Sequence, residues 1–165
     1  MADNSGNAAD KLYALIGKVK IAMLTTVESD GKLHTRPMRN HDADENGTLW
    51  FFVDKTSAAA QSIRANPRIS LGFSDPANDN YAVVDGTGEI VHDKALIDAK
   101  WTDDLKAWFP DGKDDPSVAL IKVKPEAGEF WDTASSTLAH VVGYVKATFG
   151  AGDGSDMVDN RKVAL

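Results

Sequence analysis

The sequence predicts a mainly β chain of the α+β class: an antiparallel, barrel-like sheet of about six strands with helices at its periphery. Three observations carry that prediction. Short β-favouring runs recur over residues 19–132 and are separated by turn residues. The turns at 29–32 and 42–47 are short enough to join antiparallel neighbours. No Gly-x-Gly-x-x-Gly follows the first strand, which counts against a doubly wound dinucleotide-binding fold.

Taken in order, residues 1–8 are small and polar and read as a disordered lead. Leu12, Leu15, Ile16 and Val19, with Tyr13 beside them, fall at helical spacing and give a short amphipathic helix. Residues 19–27 are β-like. Ser29-Asp30-Gly31-Lys32 is a hairpin turn, and residues 33–41 are its returning strand. The polar run 42–47 leads into a strand over 49–53, so the first three strands are expected to form a meander. Trp50-Phe51-Phe52-Val53 suits a strand buried on both faces, and Asp54, Lys55, Thr56 and Ser57 bring polar groups to its end. Thr56 or Ser57 can cap the Ala-rich helix that follows, which Asn66-Pro67 stops.

Strands are expected at 68–73 and at 81–92, with Gly86 and Gly88 marking a bulge or the close approach of another backbone. Asp93 can cap a helix in which Ile97, Trp101, Leu105 and Trp108 recur at three- and four-residue steps, a stripe usual for core. Residues 117–123 make another strand, and 129–132 prolong the sheet beyond the break at Pro125. Leu138, Val141, Val142 and Val145 suggest a final helix, and the Gly-rich, acidic stretch 150–165 reads as a mobile tail. A chain of 165 residues suits one domain, here 9–149, with one sizeable core.

Composition narrows the function. A formal charge of −7 disfavours nonspecific binding to nucleic acid or to an acidic membrane, while a small anion can still bind locally. The absence of cysteine excludes disulfides, thiolate catalysis and Cys-based metal sites. The N-terminus has neither the basic nor the apolar region of a signal peptide, and no run approaches bilayer length, so the expected location is the cytoplasm. The histidines at 34, 41, 92 and 140 are scattered without metal-ligand spacing. Nothing resembles a nucleophile elbow or a triad.

The chemistry that remains centres on the corner after Val53. A helix start with free N–H groups, together with Lys55, Thr56 and Ser57, is a sensible phosphate site. Alternation puts His34, Arg36 and Met38 on one face of their strand and Thr35, Pro37 and Arg39 on the other. If that strand pairs with 49–53, Arg36 approaches the same corner, where guanidinium, ammonium and hydroxyls would meet. The alternative is a plain capped helix, with Arg36 and Arg39 paired to Asp42 or Asp44. Trp101, Trp108, Phe109, Phe130 and Trp131 suit core or a dimer interface and leave room for a flat ligand.

His34-Thr35-Arg36-Pro37-Met38, then residues 50–57 with Ser57, then Ile63-Arg64-x-Asn66-Pro67-Arg68-Ile69-Ser70-Leu71 form a joint pattern. It resembles the pyridoxamine-phosphate oxidase superfamily, the FMN-binding split barrels. Residues 105–112, Asp114-Asp115-Pro116 and Glu129-Phe130-Trp131-Asp132 resemble its general stress protein branch, and the likeness covers residues 12–145. The resemblance implies a six-stranded antiparallel split β-barrel, a homodimer with a flavin at the subunit interface, and a small-molecule redox substrate. By similarity Arg36, Lys55, Thr56 and Ser57 hold the phosphate. Met38, Phe52 and Val53 line the ring, backbone near Val53 and Asp54 meets its polar edge, and Trp108 and Trp131 wall the cleft, from this chain or from the partner subunit. Ala58-Ala59-Ala60 stand where many relatives carry a basic residue, so one phosphate contact is missing. The cofactor implied is FMN, with FAD or a deazaflavin as alternatives. The implied role is that of a flavin-dependent oxidoreductase, a non-catalytic flavin carrier or sensor in stress response, or a barrel that has lost its cofactor.

Overall fold

The computed structural model describes residues 4–41, 43–133 and 158–165. Helix α1 (Asn4–Ile16) buries Ala8, Leu12, Leu15 and Ile16, one face at three- and four-residue spacing. Strands β1 (Ile21–Val27) and β2 (Leu33–Arg39) form a hairpin whose turn holds Gly31 at φ 82°. Then come β3 (Leu49–Asp54), α2 (Ala58–Ala65), β4 (Arg68–Asp75) and β5 (Asn80–Val91). Helix α3 (Lys94–Lys100) and a 3₁₀ turn over Asp103–Ala107 precede β6 (Val118–Thr133), and β7 (Val158–Ala164) ends the chain.

All pairings are antiparallel, in the order β2-β1-β4-β5-β6-β3, with β7 added to the far half of β6. The expected meander therefore stops at the hairpin. β3 does not pair with β2; it crosses to β6, with Phe51 opposite Ile121 and Val53 opposite Ala119. The physical reason is burial. Leu49, Phe51 and Val53 enter the main core, while Trp50 and Phe52 enter a second apolar layer with Ile97, Leu105, Phe109, Val118 and Leu120. Only a partner that is also apolar on both faces can lie beside such a strand, and residues 118–121 of β6 are all buried. β2 has only its inner face covered and stays at the opposite edge.

Seven described strands replace the expected six, and no ladder joins β2 to β3 to close the sheet. The long strand over 80–91 forms as expected. The two segments placed on either side of Pro125 are one strand, β6, with a bulge at Glu126: Asp85 faces Ala127 while Gly86 faces Pro125. A Cβ at Gly86 would lie 2.2 Å from the Lys124 carbonyl oxygen, the close backbone approach that the glycine signalled.

The stripe from Ile97 to Trp108 is not one helix. Trp101 is extended at φ −65°, ψ 135° and ends α3, so that Leu105 is buried from the 3₁₀ turn while Trp108 is 56% exposed. α1 starts at Asn4, within the stretch expected to be a disordered lead. Of the tail expected to be mobile, the described part, Val158–Ala164, is β7. The expected final helix at 138–145 lies outside the described residues.

Candidate functional site: the cleft between two free strand edges

β2 and β3 end the strand path on opposite sides, and each leaves one row of backbone N–H and C=O groups without a strand partner. The two edges face each other across a cleft of about 420 Å³. Its walls are His34, Arg36, Pro37, Met38 and Arg39 of β2, Phe52, Val53 and Asp54 of β3, Ser57, Ala58 and Ala59 at the start of α2, and Leu105, Trp108 and Phe109. That volume lies in the range of small-molecule sites, and most of the lining is apolar.

Each wall has a local cause. Ser57 is the N-cap of α2: its backbone is extended and its Oγ accepts from the Ala60 N–H at 3.2 Å, a contact of about 1 kcal/mol. The alanines after it keep α2 close to the sheet, since Ala59 and Ala60 are buried. Ala58 and Ala59 add only methyl groups to the cleft, so the helix start is open to a ligand at that point. Phe52 is held by edge contacts, its ring centroid 5.6 Å from those of His41 and Trp101. Phe109 tilts against both Phe52 and Trp101.

The charged groups are paired among themselves. The Arg36 side chain is 17% exposed; its Nη1 donates to Thr26 Oγ1 and its Nη2 to Glu28 Oε1, both at 3.1 Å. Arg39 Nε donates to Asp104 Oδ2 at 3.0 Å, which ties β2 to the 3₁₀ turn carrying Leu105. Asp54 Oδ1 accepts from the Thr56 hydroxyl and the Thr56 N–H, both at 2.7 Å, and these bonds hold its carboxyl below the usual range. Burial works to raise the Glu28 carboxyl, but hydrogen bonds from Ser62, Arg36 and Thr26 outweigh it and leave it below its ordinary value.

Of the residues singled out from sequence, Arg36, Met38, Phe52, Val53, Asp54, Ser57 and Trp108 line the cleft together. Three do not. The Lys55 N–H is tied to the Ser117 carbonyl at the start of β6, and Lys55 is absent from the lining. The Thr56 hydroxyl is spent on Asp54. Trp131 faces Tyr81 of β5 and Asn160 of β7, on the half of β6 that β3 does not reach. Among the described residues Arg36 holds Glu28 and Arg39 holds Asp104, and neither is paired with Asp44; Asp42, the other expected partner, lies outside the described residues. His34, Pro37, Arg39, Ala58, Ala59, Leu105 and Phe109 are wall residues that were not assigned to the site from sequence, although the last two sit in the 105–112 segment quoted for the resemblance.

A profile described as pyridoxamine 5'-phosphate oxidase like matches residues 7–153, nearly the whole chain. The chain belongs to the pyridoxamine 5'-phosphate oxidase-like family. Within that family it is 32% identical over 127 residues to general stress protein 26 of Bacillus subtilis, covering 74% of this chain and 87% of that one. In structure it is similar to a Jannaschia sp. CCS1 protein assigned to general stress protein 26: TM-score 0.76, 27% identity, 97% of this chain and 99% of the other. It is also similar to the general stress FMN/FAD binding protein of Xanthomonas citri, with a TM-score of 0.68 and 28% identity over 79% of this chain and 92% of that one. The family's fold is thus this mainly β antiparallel sheet with few helices. Among the described residues no helix is long and apolar enough to cross a membrane.

Proposed function

We propose that this chain is a flavin-binding protein of the oxidoreductase type, with FMN as its first cofactor, held in the cleft between β2 and β3. The observation that supports it is the juxtaposition of two free strand edges with an apolar, aromatic wall. Phe52, Val53, Met38, Phe109 and Trp108 offer flat contact to a ring system, and the unpaired backbone groups of β2 and β3 offer donors and acceptors to its polar edge. The open start of α2 at Ser57 and Ala58 suits a phosphate, with Arg36 beside it in the wall. The groups present therefore fit a flavin's ring well and its phosphate in part. The similarity to a protein described as FMN/FAD binding points the same way.

When bound, a flavin supplies hydride and electron transfer, and the protein's part is to bind it, orient it and limit water around it. Phe52 and Val53 do this from a strand buried on both faces. Arg39, clasped to Asp104, keeps the segment bearing Trp108 against β2 at the mouth. The reading includes a split barrel whose gap is this cleft, a homodimer and a cytoplasmic location. Pro37, exposed and at the rim, lies opposite Met23 of β1, so a second copy seated on the outer face of β1 would cover the mouth. Because Arg36, Arg39 and Asp54 are each engaged by another protein group, none is poised as a general acid or base. That favours a flavin carrier as the second reading.

Purified protein, reconstituted with FMN and gel-filtered, should keep the yellow absorption bands at about one flavin per chain, and mass spectrometry of the denatured protein should return FMN. Colourless protein after reconstitution would overturn the reading. Reduction of the bound flavin by NADH or NADPH, with turnover to an added acceptor, distinguishes the oxidoreductase from the carrier.

A further inference from the structure

Glu28 lies just past the end of β1 and outside the lining of the cleft, yet it contacts groups on both sides of the phosphate corner. Its Oε1 accepts from Arg36 Nη2 at 3.1 Å and from Thr26 Oγ1 at 3.2 Å; its Oε2 accepts from Ser62 Oγ at 3.0 Å. Ser62 belongs to α2, the helix whose first turn forms part of the wall. His34 Nδ1 is 3.6 Å away. One carboxylate thus fixes the guanidinium of β2 to the helix that carries the open N-terminus. It also cancels the charge of that guanidinium where an anion would need it. Arg39, the other lining arginine, is matched by Asp104 in the same way. Neither arginine of the wall is therefore left without a carboxylate, and Asp54 adds a further negative charge.

We infer that Glu28 is a specificity-determining residue: by neutralising Arg36 it lowers the contribution of the ligand's terminal phosphate, so that the cleft discriminates weakly between a flavin with a 5'-phosphate and one without. This rests on the flavin reading above. An arginine shared with a carboxylate forms weaker charge-assisted bonds to a phosphate than an unshared one, whereas contacts to the ring do not depend on it.

Glu28→Gln isolates the charge. The glutamine Oε1 can accept from Arg36 and Thr26 as the carboxylate does. Its Nε2 can donate to Ser62 Oγ, whose own hydrogen has the Ala58 carbonyl at 2.9 Å as an alternative acceptor. The network keeps its shape and Arg36 keeps an uncompensated charge. Wild type and E28Q, both freed of flavin, are titrated with FMN and with riboflavin by flavin fluorescence. The expected result is that E28Q binds FMN roughly tenfold more tightly, the scale of one charge-assisted hydrogen bond, with riboflavin affinity unchanged. In the double variant E28Q/R36M the gain for FMN should vanish, because it runs through Arg36. An FMN-to-riboflavin ratio that E28Q leaves unchanged or lowers, or a gain that survives R36M, overturns the assignment of Glu28 while the flavin reading stands. Failure of both flavins to bind wild type and variant overturns the flavin reading, and this inference with it.

Discussion

Glu28 shows how much one side chain can organise without lying in the site. Its carboxyl sits below its ordinary value of 4.5 because the ionised form collects three donors, which outweigh its partial burial. A carboxyl depressed in the folded state stabilises the fold above its unfolded pKa, and that contribution is lost as the pH falls through the folded value. Unfolding titrations of wild type and E28Q should therefore show a stability gap at pH near 7 that narrows steadily as the pH falls below the ordinary carboxyl range. A gap that is constant with pH would mean that Glu28 gains nothing from ionising. Sequence could not supply this residue: its partners lie 2, 8 and 34 positions away, and only the β1–β2 hairpin and the packing of α2 bring them together. Asn40 was invisible for the same reason. It is a buried amide whose Nδ2 donates to the Ile16 and Val19 carbonyls at the end of α1. Ser57 was legible because an N-cap is a local device. Lys55 and Thr56 stand next to it in sequence and were grouped with it, but one is tied to the start of β6 and the other bonds Asp54.

At the scale of elements, periodicity located the strands and turn chemistry located the hairpin, while partner choice stayed hidden. The run 42–47 reads as a hairpin turn, yet β3 leaves β2 for β6, because pairing follows burial on both faces and not adjacency. The break of the 97–108 stripe at Trp101 was hidden too, since three- and four-residue spacing continues through it by coincidence. Glycines carried more information. Gly86 sits at the bulge of β5 and β6, where an added Cβ would meet backbone at 2.2 Å, whereas Gly112, at φ 81°, has nothing within 4 Å. Gly112→Ala should cost about 1–2 kcal/mol, the penalty of a left-handed conformation alone. Gly86→Ala must move the β6 backbone and should cost about 3 kcal/mol or more, or prevent folding. Denaturant midpoints of the two variants check the ranking, and equal losses would show that the bulge relaxes freely.

For the whole molecule, the outer face of the hairpin sheet is the part that the single chain leaves unexplained. Ile21, Met23, Leu33 and Tyr81 are exposed large apolar side chains, Leu33 at 71%. The register lines up Pro37, Met23, Gly72 and Val83 in one row across β2, β1, β4 and β5. Gly72 leaves that row flat, and Arg39, opposite Ile21, and Asp85, opposite Ser70, border it with charge. An apolar row with a polar border has the layout of a protein interface. Pro37 belongs both to this row and to the wall of the cleft, so a subunit docked here would change ligand access as well as burial. If the proposed homodimer uses this face, Met23→Glu places a charge in its apolar centre and should raise the dimer dissociation constant by at least roughly tenfold. Met23 points outward at 42% exposure, so the fold itself should survive. Light scattering after gel filtration should give a dimer for wild type and a monomer for M23E with an unchanged circular dichroism spectrum. Flavin retention should fall in M23E if the second subunit covers the cleft, although Met23 does not line it. A wild-type monomer would leave the cleft to be completed by this chain alone, and a dimer that M23E leaves intact would place the interface elsewhere.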